Sequence, residues 1–425
     1  MNVLRKALPI AALTVAAAPL LAGEWQNSLH IEHWQFADAG AQGQARSNLS
    51  LSFKSEWWHG FNDGRDSLAF SPFLRLDQHD DRRSHWDIRE AAWTHLGDGF
   101  ELRAGIRQVF WGVTEGAHLV DIINQTDLVE SLDGEQKLGQ PMINLAFERD
   151  AQMLDLFVLP GFRPRTYPGE DGRLRLPLVV DADDAEYEAA NGARHVDLAA
   201  RWQLNLPALR LGLSAFRGTS REPELRPEVD YRQVLTFNGQ PYAFAPGYQP
   251  QLTPYYPQIR QFGVDLQITQ GDLLWKLESV RRSGGRETYN ASDAGIEYTQ
   301  VGVLGSQADL GWLLEYLHDS RGARATSPFA DDLLLGWRLA LNDQASSELL
   351  TSLIVDRDSG ERLFSIEANR RLSDQLRLEL ELRAFGHTPS RPQQPFDYLL
   401  AYDDRHPLRP LSRDDFLRIG LSWFF

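Results

Sequence analysis

The sequence predicts an all-β chain that closes into a transmembrane antiparallel β-barrel of about 18 strands, with 16 as the alternative. Three observations predict it. In the C-terminal segment 415–425, Leu417, Ile419, Leu421, Trp423 and Phe425 alternate with Arg418, Gly420, Ser422 and Phe424. A period of two with one wholly apolar face is a strand that meets hydrocarbon on one side and a wetter space on the other. Segments of this kind recur from residue 23 to residue 425, with no helical period of comparable strength. The links between them alternate between short turns and long loops, a parity that a soluble β-sandwich has no reason to keep.

The first element is an export leader. Residues 1–22 carry a basic start at Arg5 and Lys6, an apolar run from Ala7 to Leu21, and a small residue, Ala22, before Gly23. That run is shorter than the roughly 20 residues of a spanning helix. There is no Cys, which excludes a lipid-anchored N-terminus, disulfides and thiolate metal sites. Residues 23–425 are expected to form a single domain.

Composition agrees with strands that show only every second residue to lipid. Mean hydropathy is −0.39, although 12 Trp, 12 Tyr and 21 Phe are present. Removing Arg5 and Lys6 with the leader takes the formal charge from −16 to −18. Nucleic acid is thereby excluded as a partner.

Strands are expected at 24–36, 45–58, 67–77, 84–96, 99–110, 141–149, 152–160, 194–205 and 208–217. Nine more follow at 258–269, 272–282, 294–305, 310–319, 332–341, 347–357, 362–372, 375–386 and 415–425. Each approaches the roughly 9–11 residues that a tilted strand needs to cross a bilayer. Short links such as Gly97-Asp98-Gly99, Asp150-Ala151 and Gln270-Gly271 alternate with long ones at 111–140, 161–193, 218–257, 283–293, 320–331 and 387–414.

Assigning the apolar face to lipid colours the interior. Its bases are Lys54, Arg75, Arg89, Arg103, Arg107, Arg201, Lys276, Arg338, Arg371, Arg377, Arg383 and Arg418. Its acids are Glu56, Asp87, Glu101, Asp197, Asp265, Glu278, Glu367, Glu379 and Glu381. The candidate selectivity residues are Arg89, Arg103, Arg107, Arg201, Arg338, Arg377 and Arg383. So polar an interior excludes an apolar plug and leaves water or a loop to fill it. The acid excess falls in loop 161–193, where the spacing of Asp181, Asp183, Asp184, Glu186 and Glu188 lacks the pattern of a calcium loop. No metal or cofactor is expected.

Loop 111–140 is more apolar than a solvated loop should be. Val113, Leu119, Val120, Ile122, Ile123, Leu128 and Val129 need burial, and the interior is the available place. Its polar candidates for a constriction are Trp111, Glu115, His118, Asp121, Asn124 and Asp127. The string Arg107-Gln108-x-x-Trp111-Gly112 followed by Asp121-Ile122-Ile123-Asn124 resembles segments of large porin-like outer-membrane barrels, including alginate-export-type and substrate-specific channels. The motif likeness covers about 40 residues; the architectural likeness to the Gram-negative porin-like superfamily covers the whole mature chain. It implies an inward-folded constriction loop, the outer membrane of a Gram-negative bacterium as the location, and lipid and lipopolysaccharide as neighbours. The terminal Phe425 resembles the signal by which the barrel assembly machinery recognises its clients.

Enzyme chemistry has little support. His30 and His33 point to opposite faces, and Ser28 shares a face with His30 only as any two same-face residues can. No Gly-x-Ser-x-Gly, His-Glu-x-x-His or phosphate-cradling glycine loop is present. The expectation is a channel for passive uptake or export of small hydrophilic, anionic solutes, selected by arginines in a narrow, partly desolvated lumen. The alternative is a closed barrel that acts as a surface binding, adhesion or assembly-partner protein. Oligomeric state is not readable.

Overall fold

Leu, Ile, Val and Trp at every second position can bury one face only if the strand leaves its other face to polar company, and eighteen such strands satisfy one another by closing. The computed structural model describes residues 23–390, 394–400 and 405–425. The expected leader, 1–22, lies outside the described residues. The barrel strands are β1 Glu24–Phe36, β2 Ser47–Phe61, β3 Asp66–Asp77, β4 Trp86–Leu96, β5 Phe100–Arg107 and β6 Gln140–Arg149. Next come β7 Gln152–Pro160, β8 Val196–Leu206, β9 Leu209–Thr219, β10 Gln258–Gln270, β11 Leu273–Gly284 and β12 Tyr289–Gln300. The last are β13 Asp309–Asp319, β14 Asp331–Ala340, β15 Glu348–Asp356, β16 Arg362–Arg371, β17 Leu376–Gly386 and β18 Phe416–Phe424.

Every sequential pair is antiparallel, and β18 returns to β1 with Ile31 opposite Leu421 and His33 opposite Ile419. The result is a closed 18-strand barrel without a free edge. Two-residue turns at 150–151 and 271–272 are made possible by left-handed backbone at Asp150 (φ 54°) and Gly271 (φ 62°).

Two strands depart from expectation. Residues 289–293 form the first half of β12, so the expected long link at 283–293 is a four-residue connection, 285–288. Tyr289-Asn290-Ala291-Ser292-Asp293 has neither the hydrophobicity nor the clean alternation of the other strands. It is held by the ladder and by packing, with Tyr289, Ala291 and Asp293 all buried. β5 also ends early, because 108–111 turn inward instead of continuing the wall.

The outer face is apolar: Leu49, Leu198, Leu335 and Ile419 are 45–51% exposed. Trp58, Trp275, Trp312, Trp337 and Trp423 form an aromatic girdle near the short-turn end. An Arg or Lys at the middle of that face would cost about 2–4 kcal/mol in a bilayer, which forces the strand charges inward. Among the described residues no helix is long and apolar enough to cross a membrane.

The loop end of the interior is filled by the long loops. One apolar cluster joins Trp111, Val120, Ile122 and Ile123 of the third loop to Met142, Phe157, Phe216, Ile259 and Val280 of the wall. The loop after β9 contributes a strand pair, Glu224–Glu228 with Gln251–Tyr256, to which Glu186–Tyr187 adds in parallel. It also carries an exposed hairpin, Val234–Phe237 with Gln240–Phe244, and a short helix, Pro395–Leu400, lies in the last loop.

Candidate functional site

The third loop, 108–139, is built to dock against the wall across the lumen. Its stems are tied together by Asn124. The Asn124 Oδ1 accepts the Val109 N–H at 2.9 Å, and Nδ2 donates to the carbonyls of Arg107 and Leu138, both at 2.8 Å. Its far side carries backbone N–H groups that no ladder satisfies, and three carboxylates on adjacent strands accept them. Glu278 on β11 takes the N–H of Val113 at 2.6 Å, of Thr114 at 3.1 Å and of Val120 at 3.1 Å. Asp293 on β12 takes Ala117 at 3.1 Å, and Glu315 on β13 takes Glu115 at 3.0 Å and Gly116 at 2.7 Å. Gly112 is required there, since a Cβ would lie 3.1 Å from the Glu278 carboxylate and 2.9 Å from His118.

Ion pairs fix the rest of the loop. Arg89 on β4 donates to Asp127 at 2.6 Å, Arg75 on β3 to Glu130 at 2.7 Å, Arg338 on β14 to Glu115 at 2.6 Å, and Arg383 on β17 to Asp133 at 2.8 Å. Burial alone would raise the Asp127 carboxyl, but the neighbouring His85, Arg89 and Thr166 overcome it and hold the group well below the usual range. Asp121 is the reverse: burial pushes its carboxyl up, and Lys137 at 3.0 Å only partly offsets that. Glu135, at the exposed loop tip, is pushed up to about 7, first by desolvation and then by the charges of Asp133, Glu367 and Glu115.

The constriction candidates therefore divide. Trp111 is buried against the wall, Asn124 between the loop's stems and Asp127 against Arg89, and the Asp121 carboxylate is sealed against Lys137. Glu115 and His118 remain half-buried, with His118 edge-on to Phe110 at 4.7 Å.

Beneath the loop, on its short-turn side, lies a cavity of about 450 Å³. Arg103, Arg107, Arg201 and Arg210 reach it from β5, β8 and β9, with Asp155 and Asp265 as its carboxylates. Four guanidiniums and two carboxylates line it, and Glu101 and Glu90 approach Arg103 and Arg107 from outside the lining. Arg201 donates to Asp265 at 2.9 Å and lies 5.0 Å above the Trp111 ring, leaving its Nε and Nη1 without a hydrogen-bond partner among the described residues. Arg107 meets Glu90 only at 3.8 Å, and its Nη1 is likewise unpartnered. Arg103 is shared between Glu101 and Asn144. Arg210 is exposed and has no ion pair among the described residues. Asn144, Gln203, Asn205 and Gln267 add amides to the lining.

Of the seven candidate arginines, Arg103, Arg107 and Arg201 meet in this cavity. Arg89 is neutralised by Asp87 and Asp127, Arg383 by Asp133, Glu367 and Glu381, and Arg338 by Glu115. Arg377 lies on β17, 3.7 Å from Glu379. The positive charge is thus local and does not form a ring. Arg210 was missed, although the outward parity of Leu209, Leu211 and Leu213 points it inward.

Ser422, His30 and Glu32 are also joined, at 2.8 and 3.3 Å. The backbone around Ser422 is engaged in the ladders of β18 with both neighbours, which leaves no N–H pair to stabilise an oxyanion.

No protein-family model matches the chain, and no curated protein matches it in sequence. Solved barrels do match in fold. Wzi of Escherichia coli, described as an outer-membrane protein involved in group 1 capsule assembly and a carbohydrate-binding β-barrel, aligns over 97% of this chain and 86% of its own at 11% identity, with a TM-score of 0.51. A triple mutant of the Rhodopseudomonas blastica porin aligns over 95% of this chain and 100% of its own at 9% identity, with a TM-score of 0.43. At these identities the likeness is one of fold.

Proposed function

We propose that this protein is an outer-membrane barrel that admits small hydrophilic anions through a lumen narrowed by the docked third loop. The observation that carries the reading is the cavity beneath that loop, where Arg210 has no ion pair among the described residues and Arg107 Nη1 with Arg201 Nε and Nη1 lack an acceptor. In a confined, partly dehydrated space an uncompensated guanidinium lowers the energy of an anion far more than it would in bulk water. Arg103, Arg107, Arg201 and Arg210 attract and orient the anion, and the loop sets the width.

A second reading is favoured by the packing of the loop half. Arg75, Arg83 and Glu32 are all buried there in a continuous ion-pair network. A barrel so filled would hold a solute without passing it, and a barrel of this fold is described as carbohydrate-binding. Planar-bilayer recording separates the two. The channel reading expects small unitary steps with a reversal potential on the anion side. A protein that inserts and stays silent at all potentials overturns it in favour of a closed binding barrel.

A further inference from the structure

The lipid face carries an anomaly at its loop end. Arg217 on β9, Arg260 on β10 and Arg281 on β11 all point outward and are exposed. Each lies within three residues of the loop end of its strand, so within about 10 Å of the rim at roughly 3.3 Å per residue. Arg217 stands directly opposite Arg260 in the ladder, and Arg281 is opposite Phe262, diagonal to Arg260. Among the described residues none of the three has an ion pair, and Arg281 makes one hydrogen bond, to Asn290 at 3.3 Å. Like charges directly opposite each other destabilise a ladder. The outward Arg357, after β15, differs: it is matched by Asp331 at 2.9 Å.

Three adjacent, uncompensated guanidiniums above an apolar band call for a polyanion at the height of lipid headgroups. We propose that Arg217, Arg260 and Arg281 form a binding site for the phosphates of a glycolipid in the leaflet at the loop end. The planar N–H fork of each arginine matches two phosphate oxygens at once, which a hydrated ammonium cannot do. Phe262, 63% exposed between Arg260 and the wall below, offers the acyl chains a contact directly under the headgroup. The inference rests on the outward face meeting lipid and not on solute passage.

The test uses the mature barrel in zwitterionic detergent and follows its unfolding midpoint by the mobility difference between folded and heat-denatured protein. A bisphosphorylated lipid A-type glycolipid is added, and its dephosphorylated form and inorganic phosphate are added separately. The bisphosphorylated lipid is expected to raise the midpoint by about 5 °C at a hundredfold excess over Kd. R217Q/R260Q/R281Q should lose most of that shift, R260Q alone a substantial part, and R357Q none. The proposal is overturned if the wild type shows no shift, if the dephosphorylated lipid or free phosphate reproduces it, or if the arginine variants keep it. A barrel that conducts nothing but still responds to the glycolipid removes the channel reading alone.

Discussion

The carboxylate of Glu278 accepts the backbone N–H of Val113 at 2.6 Å, joining a wall strand to a loop that leaves the barrel six strands earlier. The same carboxylate also holds Thr114 and Val120 and is fully buried. It does for the loop what a neighbouring strand does for a ladder.

Removing it should undock the loop. Glu278→Ala leaves three buried N–H donors without an acceptor, each worth about 1–3 kcal/mol. Amide exchange at 113–120 should rise by orders of magnitude while the wall strands stay protected. Glu278→Gln keeps one acceptor oxygen and should fall between the two. Unchanged exchange in the Ala variant would mean that the apolar packing of Ile122 and Ile123 holds the loop unaided.

Selectivity should reside in the cavity. Arg103→Gln with Arg107→Gln takes two positive charges from the cavity and leaves Glu101 and Glu90 without their partners. The reversal potential is expected to move toward cations. Arg377→Gln, on another wall with its side chain 45% exposed, should move it much less, because salt screens exposed charges over about 8 Å. An unchanged permeability ratio in the double variant would remove the cavity from the mechanism.

The barrel was legible in the sequence because lipid imposes its pattern on each strand separately: Leu333, Leu335, Trp337 and Leu339 declare a strand without reference to any neighbour. Where a strand draws its stability from a docked loop, the pattern fades. Tyr289 to Asp293 is the example, and so Asp293 was placed in a link. Glu315 was hidden differently, since the inward Leu313 and Leu317 flanking it blur the parity. Parity also assigned the arginines to the lumen face, but only the closed geometry decides that Arg201 pairs with Asp265 while Arg89 is matched by Asp127. The small sheet in the loops after β7 and β9 brings residues 186–187 and 251–256 together, a pairing that no local pattern encodes.

Loop docking should depend on pH through Glu135. Its carboxyl is pushed up from an ordinary value near 4.5 to about 7, so the docked loop binds this proton more tightly than the undocked one. The contribution is therefore fully present below about 4.5 and is lost as pH rises through about 7. Exchange at the loop tip should accelerate between these limits, and Glu135→Gln should flatten that rise. A flat profile across this window would remove Glu135 from the control of the tip, because the Asp133 carboxylate, held below its ordinary range, is already fully ionised there.

Asn124 offers the sharpest test of the loop's architecture, because its three hydrogen bonds differ in kind. One is accepted from Val109 and two are donated, to the carbonyls of Arg107 and Leu138. Asn124→Ala forfeits all three at a buried site, for a cost of about 3 kcal/mol. Asn124→Asp keeps the acceptor yet points an anion at two carbonyl oxygens, and burying an uncompensated charge costs more than losing the bonds. The isosteric Asp variant should therefore be the more damaging, the reverse of what similarity of shape suggests. The chain has no Cys, so Ile122→Cys provides a unique reporter at a position that is 1% exposed. That thiol should resist small maleimides in the parent barrel, react slowly with Asn124→Ala and react fastest with Asn124→Asp. Equal reactivity in all three would mean that the stems do not control the loop.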